Sequence, residues 1–205
     1  MRHMPLLVFL FGCAEPLIGD GQLTEEARAV SDFTAVETYG VNARVAMGDT
    51  EDVTINTDSN LQAYITTTVV DGVLRIEADA ELYPTKLTAL IVLPELTAVG
   101  NFGADLWVSG VDIESLDVMA SGEGHTELYG QVDTLALVSA GSGVRNASEL
   151  IAVDVTISLT GAGTAWITAT NSVEGDVSSA STLNVFGDPV RKAVTADDAS
   201  EIIYY

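Results

Sequence analysis

Asp105, His125 and Arg145 stand 20 residues apart, and each comes shortly after a glycine-rich block. A carboxylate, an imidazole and a guanidinium gathered by such a repeat could hold an acidic sugar between a base and a cation, as polysaccharide lyase or hydrolase chemistry requires. The rest of the chain weighs against it. Eight Lys and Arg face 30 Asp and Glu, a formal charge of −22, and a field of that sign repels a polyanionic substrate. Nucleophilic hydrolysis needs a base beside a serine or cysteine, yet His125 is the one histidine after His3 and no Gly-x-Ser-x-Gly elbow occurs. A solvated turn position is the expectation for His125.

Three other patterns invite a site. A phosphate cradle would need a third glycine and a helix start after Gly122-Glu123-Gly124, Gly141-Ser142-Gly143 or Gly161-Ala162-Gly163. Those places hold Glu127, Asn146 and Trp166, and no Gly-Lys-Ser/Thr follows. Asp49, Glu51 and Asp52 put three calcium-type ligands in one turn, without EF-hand or nonapeptide spacing. His125, the one histidine after His3, and the sole cysteine, Cys13, cannot complete a tetrahedral zinc site. The sequence therefore predicts no catalytic residue, no cofactor-binding residue and no metal site, and the protein is read as a non-enzyme.

What positions residues 105, 125 and 145 is a ladder. Gly103-Ala104-Asp105, Gly122-Glu123-Gly124, Gly141-Ser142-Gly143, Gly161-Ala162-Gly163, Ser179-Ala180-Ser181 and Asp198-Ala199-Ser200 step by 19, 19, 20, 18 and 19 residues. A fixed period with small slips is the mark of a solenoid, and the slips are expected in loops. Apolar residues alternate before the blocks at Leu116/Val118, Leu135/Leu137 and Val155/Ile157, with only Val173 retained in the next copy, and after them at Leu106/Val108, Leu183/Val185 and Ile202/Tyr204. Each period thus reads as strand, small-residue corner, strand. Small residues suit a corner because Gly accepts positive φ and Ser or Asp can bond nearby backbone. Gly143 is expected at such a close-packed, positive-φ place.

The predicted fold is all-β, a parallel β-helix-like solenoid with coils of about 18–20 residues and an irregular β part towards the N-terminus; the imperfect period favours a right-handed helix. In that N-terminal part, Asp71-Gly72 marks a hairpin, and Leu87 to Leu93 is an apolar strand ended by Pro94. Hydrophobic residues at 47% and charged residues at 19% suit many short strands and argue against disorder. Strong acidity makes nucleic acid and anionic lipid head groups poor partners.

The start carries an address. Arg2, the apolar run Leu6 to Phe11, and Gly12 before Cys13 form a signal-peptide pattern too short to span a bilayer. Leu10-Phe11-Gly12-Cys13 resembles the lipobox of bacterial lipoproteins, whose cysteine is acylated. The expected division is a signal peptide over 1–12, a flexible tether over 13–27 containing Pro16, Gly19 and Gly21, and a head domain over 28–205. Cys13 is the sole cysteine, so no intrachain disulfide can form.

Arg28 to Val36, Gly40-Val41-Asn42-Ala43-Arg44-Val45, Asp58-Ser59-Asn60-Leu61, Asp71-Gly72-Val73-Leu74-Arg75-Ile76, Val92 to Leu96 and the later Ser-Gly-x-Gly rungs occur in one order. In combination they resemble the auto-transporter adhesin head-domain family, the GIN-domain family of bacterial envelope lipoproteins, with Gly40-Val41-Asn42 at the place of its signature. The last rungs depart from it, with Ser-Ala-Ser and Asp-Ala-Ser at the corners. The resemblance implies a β-helix-like fold and a surface role, and carries over no catalytic or binding residues. The expected function is an adhesion or interaction module, anchored to the outer membrane by lipid on Cys13 and presenting its coil faces to a surface glycan or protein. A structural envelope protein without a ligand is the alternative, and the anchored protein is expected on either the periplasmic or the surface side of the outer membrane. The C-terminal Glu201 to Tyr205 is expected to be the final strand, either capping the core with its tyrosines or pairing with another copy.

Overall fold

The computed structural model describes residues 16–205; the signal peptide expected over 1–12 and the expected lipidation site Cys13 lie outside the described residues. Seventeen strands follow in order. The N-terminal part holds β1 (Leu17–Ile18), β2 (Leu23–Ala27), β3 (Ala35–Tyr39), β4 (Asn42–Met47), β5 (Asp52–Asp58), β6 (Ile65–Val70), β7 (Val73–Ala78), β8 (Leu82–Tyr83) and β9 (Leu87–Leu93). The ladder proper holds β10 (Ala98–Phe102), β11 (Leu106–Ser121), β12 (His125–Ala140), β13 (Val144–Thr160), β14 (Thr164–Ser178), β15 (Thr182–Phe186), β16 (Arg191–Ala196) and β17 (Glu201–Tyr204). Helix is confined, among the described residues, to a 3₁₀ turn at Gln62–Tyr64.

Successive coils pair in parallel, β10 with β11, β11 with β12, β12 with β13 and β13 with β14, and the last rungs β15, β16 and β17 continue the same sense. Alternation sends Leu106, Val108, Leu116 and Val118 inward on one coil and Leu135, Leu137, Val155 and Ile157 on the next two, so like columns stack into one continuous core. At about 25 cal/mol per Å² of apolar area removed from water, that column is the main stabilising term, since no disulfide contributes.

Two features differ from the sequence expectation. Strands of 15 to 17 residues replace the expected pairs of short ones, because the chain keeps its ladder bonds around the side opposite the corners. Most slips in register fall there as β-bulges, between Val108 and Val111, between Glu127 and Tyr129 and between Ala147 and Ile151. One falls at a corner: Phe102 pairs with Ser121 but Leu106 with Thr126, so the Gly122 corner is one residue longer than the Gly103 corner. A seventh corner precedes the six. Tyr39 is paired with Phe102, so Gly40 stands one rung below Gly103, 63 residues earlier in sequence.

The beginning of the ladder is closed by antiparallel strands. β5 pairs antiparallel with both β9 and β2, and β6 with β7 through the expected Asp71-Gly72 turn, where both residues have positive φ. β9 ends at Leu93, before Pro94. The tether expected over 13–27 needs correction over its described part, because β1 pairs with β8 and β2 lies along β5. Asp58 is the cause. Its buried carboxylate accepts hydrogen bonds from the N–H groups of Gly21 (2.7 Å) and Thr85 (2.7 Å), tying three segments together. Gly19 lies so close to that carboxylate that a Cβ there would collide with it. Burial alone would favour the neutral acid, but the Thr85 N–H and hydroxyl, with the N–H groups of Gly21 and Lys86, hold its pKa below the ordinary value.

Candidate functional site

The three residues that suggested sugar chemistry do not converge. Asp105 Oδ1 accepts the backbone N–H of His125 at 2.9 Å and lies 3.3 Å from its Nδ1, and both side chains are exposed. Arg145 instead pairs in register with Thr126, one position past His125, and alternation turns it into the core, where it is 2% exposed. Its guanidinium donates to Ser139 Oγ (3.1 Å) and to the carbonyls of Gly124, Val144 (3.1 Å) and Gly122 (3.4 Å). A base and a cation on opposite sides of a sheet cannot grip one substrate. Burial lowers the pKa of Arg145, and among the described residues no carboxylate pairs with it to counter that.

Asp105 and His125 belong to a corner staple. Asn42 Oδ1 accepts the N–H of Asp105 at 3.0 Å, and Asp105 Oδ1 accepts that of His125 one coil later. Each side chain thereby binds the start of the following post-corner strand. The Asn42 of the signature is accordingly the first link of a chain of hydrogen bonds between coils. Inside the corner a second polar line follows, with Asn101 Nδ2 donating to Ala104 O (2.7 Å), His125 O (3.0 Å) and Thr126 Oγ1 (3.0 Å). Nothing in the apolar alternation marked these buried polar residues beforehand; the only signal was a polar type at an inward phase.

The corners themselves keep left-handed backbone. Gly103, Gly122, Gly141 and Gly161 have positive φ, and Ser179 and Ala180 adopt it without a glycine, whereas the last corner, Asp198-Ala199-Ser200, does not. Gly143 is crowded as expected, against Gly124 O and the Arg145 guanidinium, but φ is not positive there; the turn is made at Gly141. At the calcium-type turn, Glu51 is occupied by the N–H groups of Asp32 (2.8 Å) and Phe33 (3.3 Å), and Asp52 by the Thr54 hydroxyl (3.2 Å). Among the described residues no three His, Cys, Asp or Glu gather as a metal site would require.

The outward face of the post-corner strands is different in character. One row runs Leu90, Arg44, Trp107, Glu127, Asn146, Trp166, Asn184, Ile203, each paired to the next across a rung. Both tryptophans of the chain are in it. The Arg44 guanidinium lies over the Trp107 ring at 5.2 Å. Beside the row, Phe186 stacks on Tyr205 at 4.7 Å between centroids, and the Tyr205 hydroxyl donates to Asn184 Oδ1 at 3.1 Å. Tyr204, next to Tyr205, is paired with the buried Val185 and carries the Lys192 ammonium over its ring at 4.8 Å. Tyr204 therefore takes the inward phase at the end of the ladder, where it stays 38% exposed, and Tyr205 takes the outer face. Outward placement of the tryptophans was available from sequence, since each lies between two inward residues, Leu106 and Val108 or Ala165 and Ile167.

Residues 32–189 match the model of a family described as "putative auto-transporter adhesin, head GIN domain". The chain belongs to that family. Among solved structures, an adhesin-titled protein from Bacteroides fragilis is 21% identical with a TM-score of 0.73, covering 92% of this chain and 100% of its own. One from Parabacteroides merdae is 18% identical with a TM-score of 0.63 over 94% and 100%. A third, from Parabacteroides distasonis and titled a lipid binding protein, is 17% identical with a TM-score of 0.52 over 92% and 100%. These likenesses establish the shared fold. No curated protein matches the sequence.

Proposed function

We propose that this GIN-domain protein is a non-catalytic adhesion module of the cell envelope, carried on the outer membrane by lipid on Cys13 and binding its partner through a coil face. The observation that carries the reading is the outward row from Leu90 to Ile203, in which side chains repeat at inter-strand spacing over a continuous core. A solenoid face of this kind is a rigid, extended surface, the form in which repeat proteins meet large partners. Family membership supports an adhesin role, and the lipobox-like Leu10 to Cys13 supports the anchor.

Two measurements test it. Labelled palmitate should enter the wild-type protein and not Cys13→Ser; label kept by that variant refutes the anchor. Protease added to intact cells should remove the protein and lower attachment of those cells to glycan- or matrix-coated surfaces. A protein that is shaved off without any change in attachment has a structural role in the envelope instead.

A further inference from the structure

Within the outward row, Glu127, Val144, Asn146, Ser148, Trp166 and Phe186 line an open groove of about 370 Å³, inside the size range of small-ligand sites. Its walls alternate in kind. Trp166 and Phe186 offer flat apolar rings, whereas Asn146 and Glu127 lie side by side on adjacent strands between Trp166 and Trp107. Several polar atoms are left without protein partners. Asn146 uses Oδ1 to accept from Ser148 N (3.2 Å) and Oγ (2.7 Å), and Glu127 uses one carboxylate oxygen to accept from the Tyr129 hydroxyl. Among the described residues nothing accepts from Asn146 Nδ2 or Trp166 Nε1–H, or donates to the other Glu127 oxygen. Two donors and an acceptor thus sit between aromatic faces.

The geometry points to a carbohydrate site: this groove binds a neutral oligosaccharide, its pyranose C–H faces on Trp166 and Phe186 and its hydroxyls on Asn146 and Glu127. The assignment rests on the interaction-module reading and names the face and ligand class. A sugar hydroxyl both donates and accepts, so vicinal hydroxyls can meet an amide and a carboxylate side by side. A lipid would want an unbroken apolar strip, and Glu127 with Asn146 interrupts this one. Acidic glycans are disfavoured by the charge of −22 and by Glu127 itself. The row from Trp107 to Trp166 spans three inter-strand steps, roughly 14 Å, which suits an oligosaccharide better than a single sugar.

The test uses the full chain titrated with neutral hexasaccharides (β-1,4-glucose, β-1,4-xylose, β-1,4-N-acetylglucosamine and α-1,6-mannose) and with polygalacturonate, read by tryptophan fluorescence and calorimetry. At least one neutral hexasaccharide should bind and polygalacturonate should not. Trp166→Ala and Asn146→Ala should each weaken that binding ten-fold or more, and Trp166→Phe should retain most of it. Met119→Ala, on the face of the pre-corner strands, should leave it unchanged. Binding by none of the neutral sugars, preference for polygalacturonate, or binding insensitive to both Trp166 variants overturns the assignment. So does a change of Trp166→Ala from dimer to monomer in sedimentation, which makes the face a contact between copies. If shaving of cells abolishes attachment while no sugar binds, the carbohydrate site falls and the adhesion reading stands.

Discussion

Arg145 is a buried cation in register between Thr126 and Ala165, and replacing it with methionine tests whether it stabilises the corner. Methionine keeps the aliphatic bulk, so the change is chiefly the loss of donors. Of the four acceptors, Gly122 O retains the N–H of Gly143 at 2.9 Å. The Val144 carbonyl belongs to the same residue step and can tilt towards its strand neighbour. Gly124 O and Ser139 Oγ lose the guanidinium inside the fold. A buried acceptor left unpaired costs about 1–3 kcal/mol, so two cost roughly 2–6 kcal/mol. Returning the guanidinium to water in the unfolded reference no longer counts against folding, and relief of that desolvation offsets part of the loss. A net destabilisation of about 2–4 kcal/mol follows, on the order of 10 °C in Tm for a chain of this size. Calorimetric melting of Arg145→Met measures it. Ser139→Ala added to Arg145→Met should recover about 1 kcal/mol, since it deletes one of the orphaned atoms. An Arg145→Met variant as stable as wild type would refute the reasoning and mean that desolvation outweighs the hydrogen bonds.

Corner glycines should divide by cause: Gly124→Ala, whose Cβ would run into the Ala104 carbonyl, should cost several kcal/mol, whereas Gly103→Ala, with positive φ but open space around it, should cost about 1 kcal/mol; equal melting temperatures would refute the division. Asp58→Asn should loosen residues 17–27, seen as faster hydrogen exchange there, with the ladder unaffected. Because the folded pKa of Asp58 lies below its ordinary 3.8, the stability it contributes is complete above that value and is lost as pH falls through the folded one; exchange at 17–27 in the wild type should therefore accelerate below about pH 4, and no acceleration refutes the staple. Deleting residues 202–205 uncovers Leu183 and Val185, each buried to 1% exposure or less, and should cost on the order of 3 kcal/mol and promote aggregation; a truncated protein that stays stable but passes from dimer to monomer would make this strand an interface.

The solenoid was legible because its two periodicities, about 19 residues and 2, are both carried by abundant residue types. Leu116/Val118 and Leu106/Val108 show the inward phase, and the Gly and Ser blocks show the corners. The long strands were not legible, since a bulge that keeps its ladder bonds has no residue signature; only the uneven steps of 20 and 18 betrayed it. Gly40 as an earlier rung was hidden by the 63-residue excursion through β5 to β9. Asp58 belongs to the Asp58-Ser59-Asn60-Leu61 pattern, yet its role in fixing residues 19–21 depends on a contact 37 positions away. The apparent triad failed for a simple reason: Arg145 is one strand position past His125 in register, and one position changes the face.

The excursion between Gly40 and Gly103 also sets an order of events. Closing the first coil brings Thr34 to Thr97 and Asn42 to Asp105, 63 residues apart, whereas later coils pair residues 17 to 20 apart in register. By loop-closure entropy the first step costs about 1 kcal/mol more than any later one, and it must gather β4 and β10, with β9 and β3 behind them, before any surface exists for β11 to dock on. Folding should then be a slow nucleation at the N-terminal end followed by rapid zippering, one coil at a time. A chain that crosses a membrane N-terminus first would deliver its residues in that same order, so each new coil emerges beside a finished template, and the tyrosine-bearing strand closes the process last.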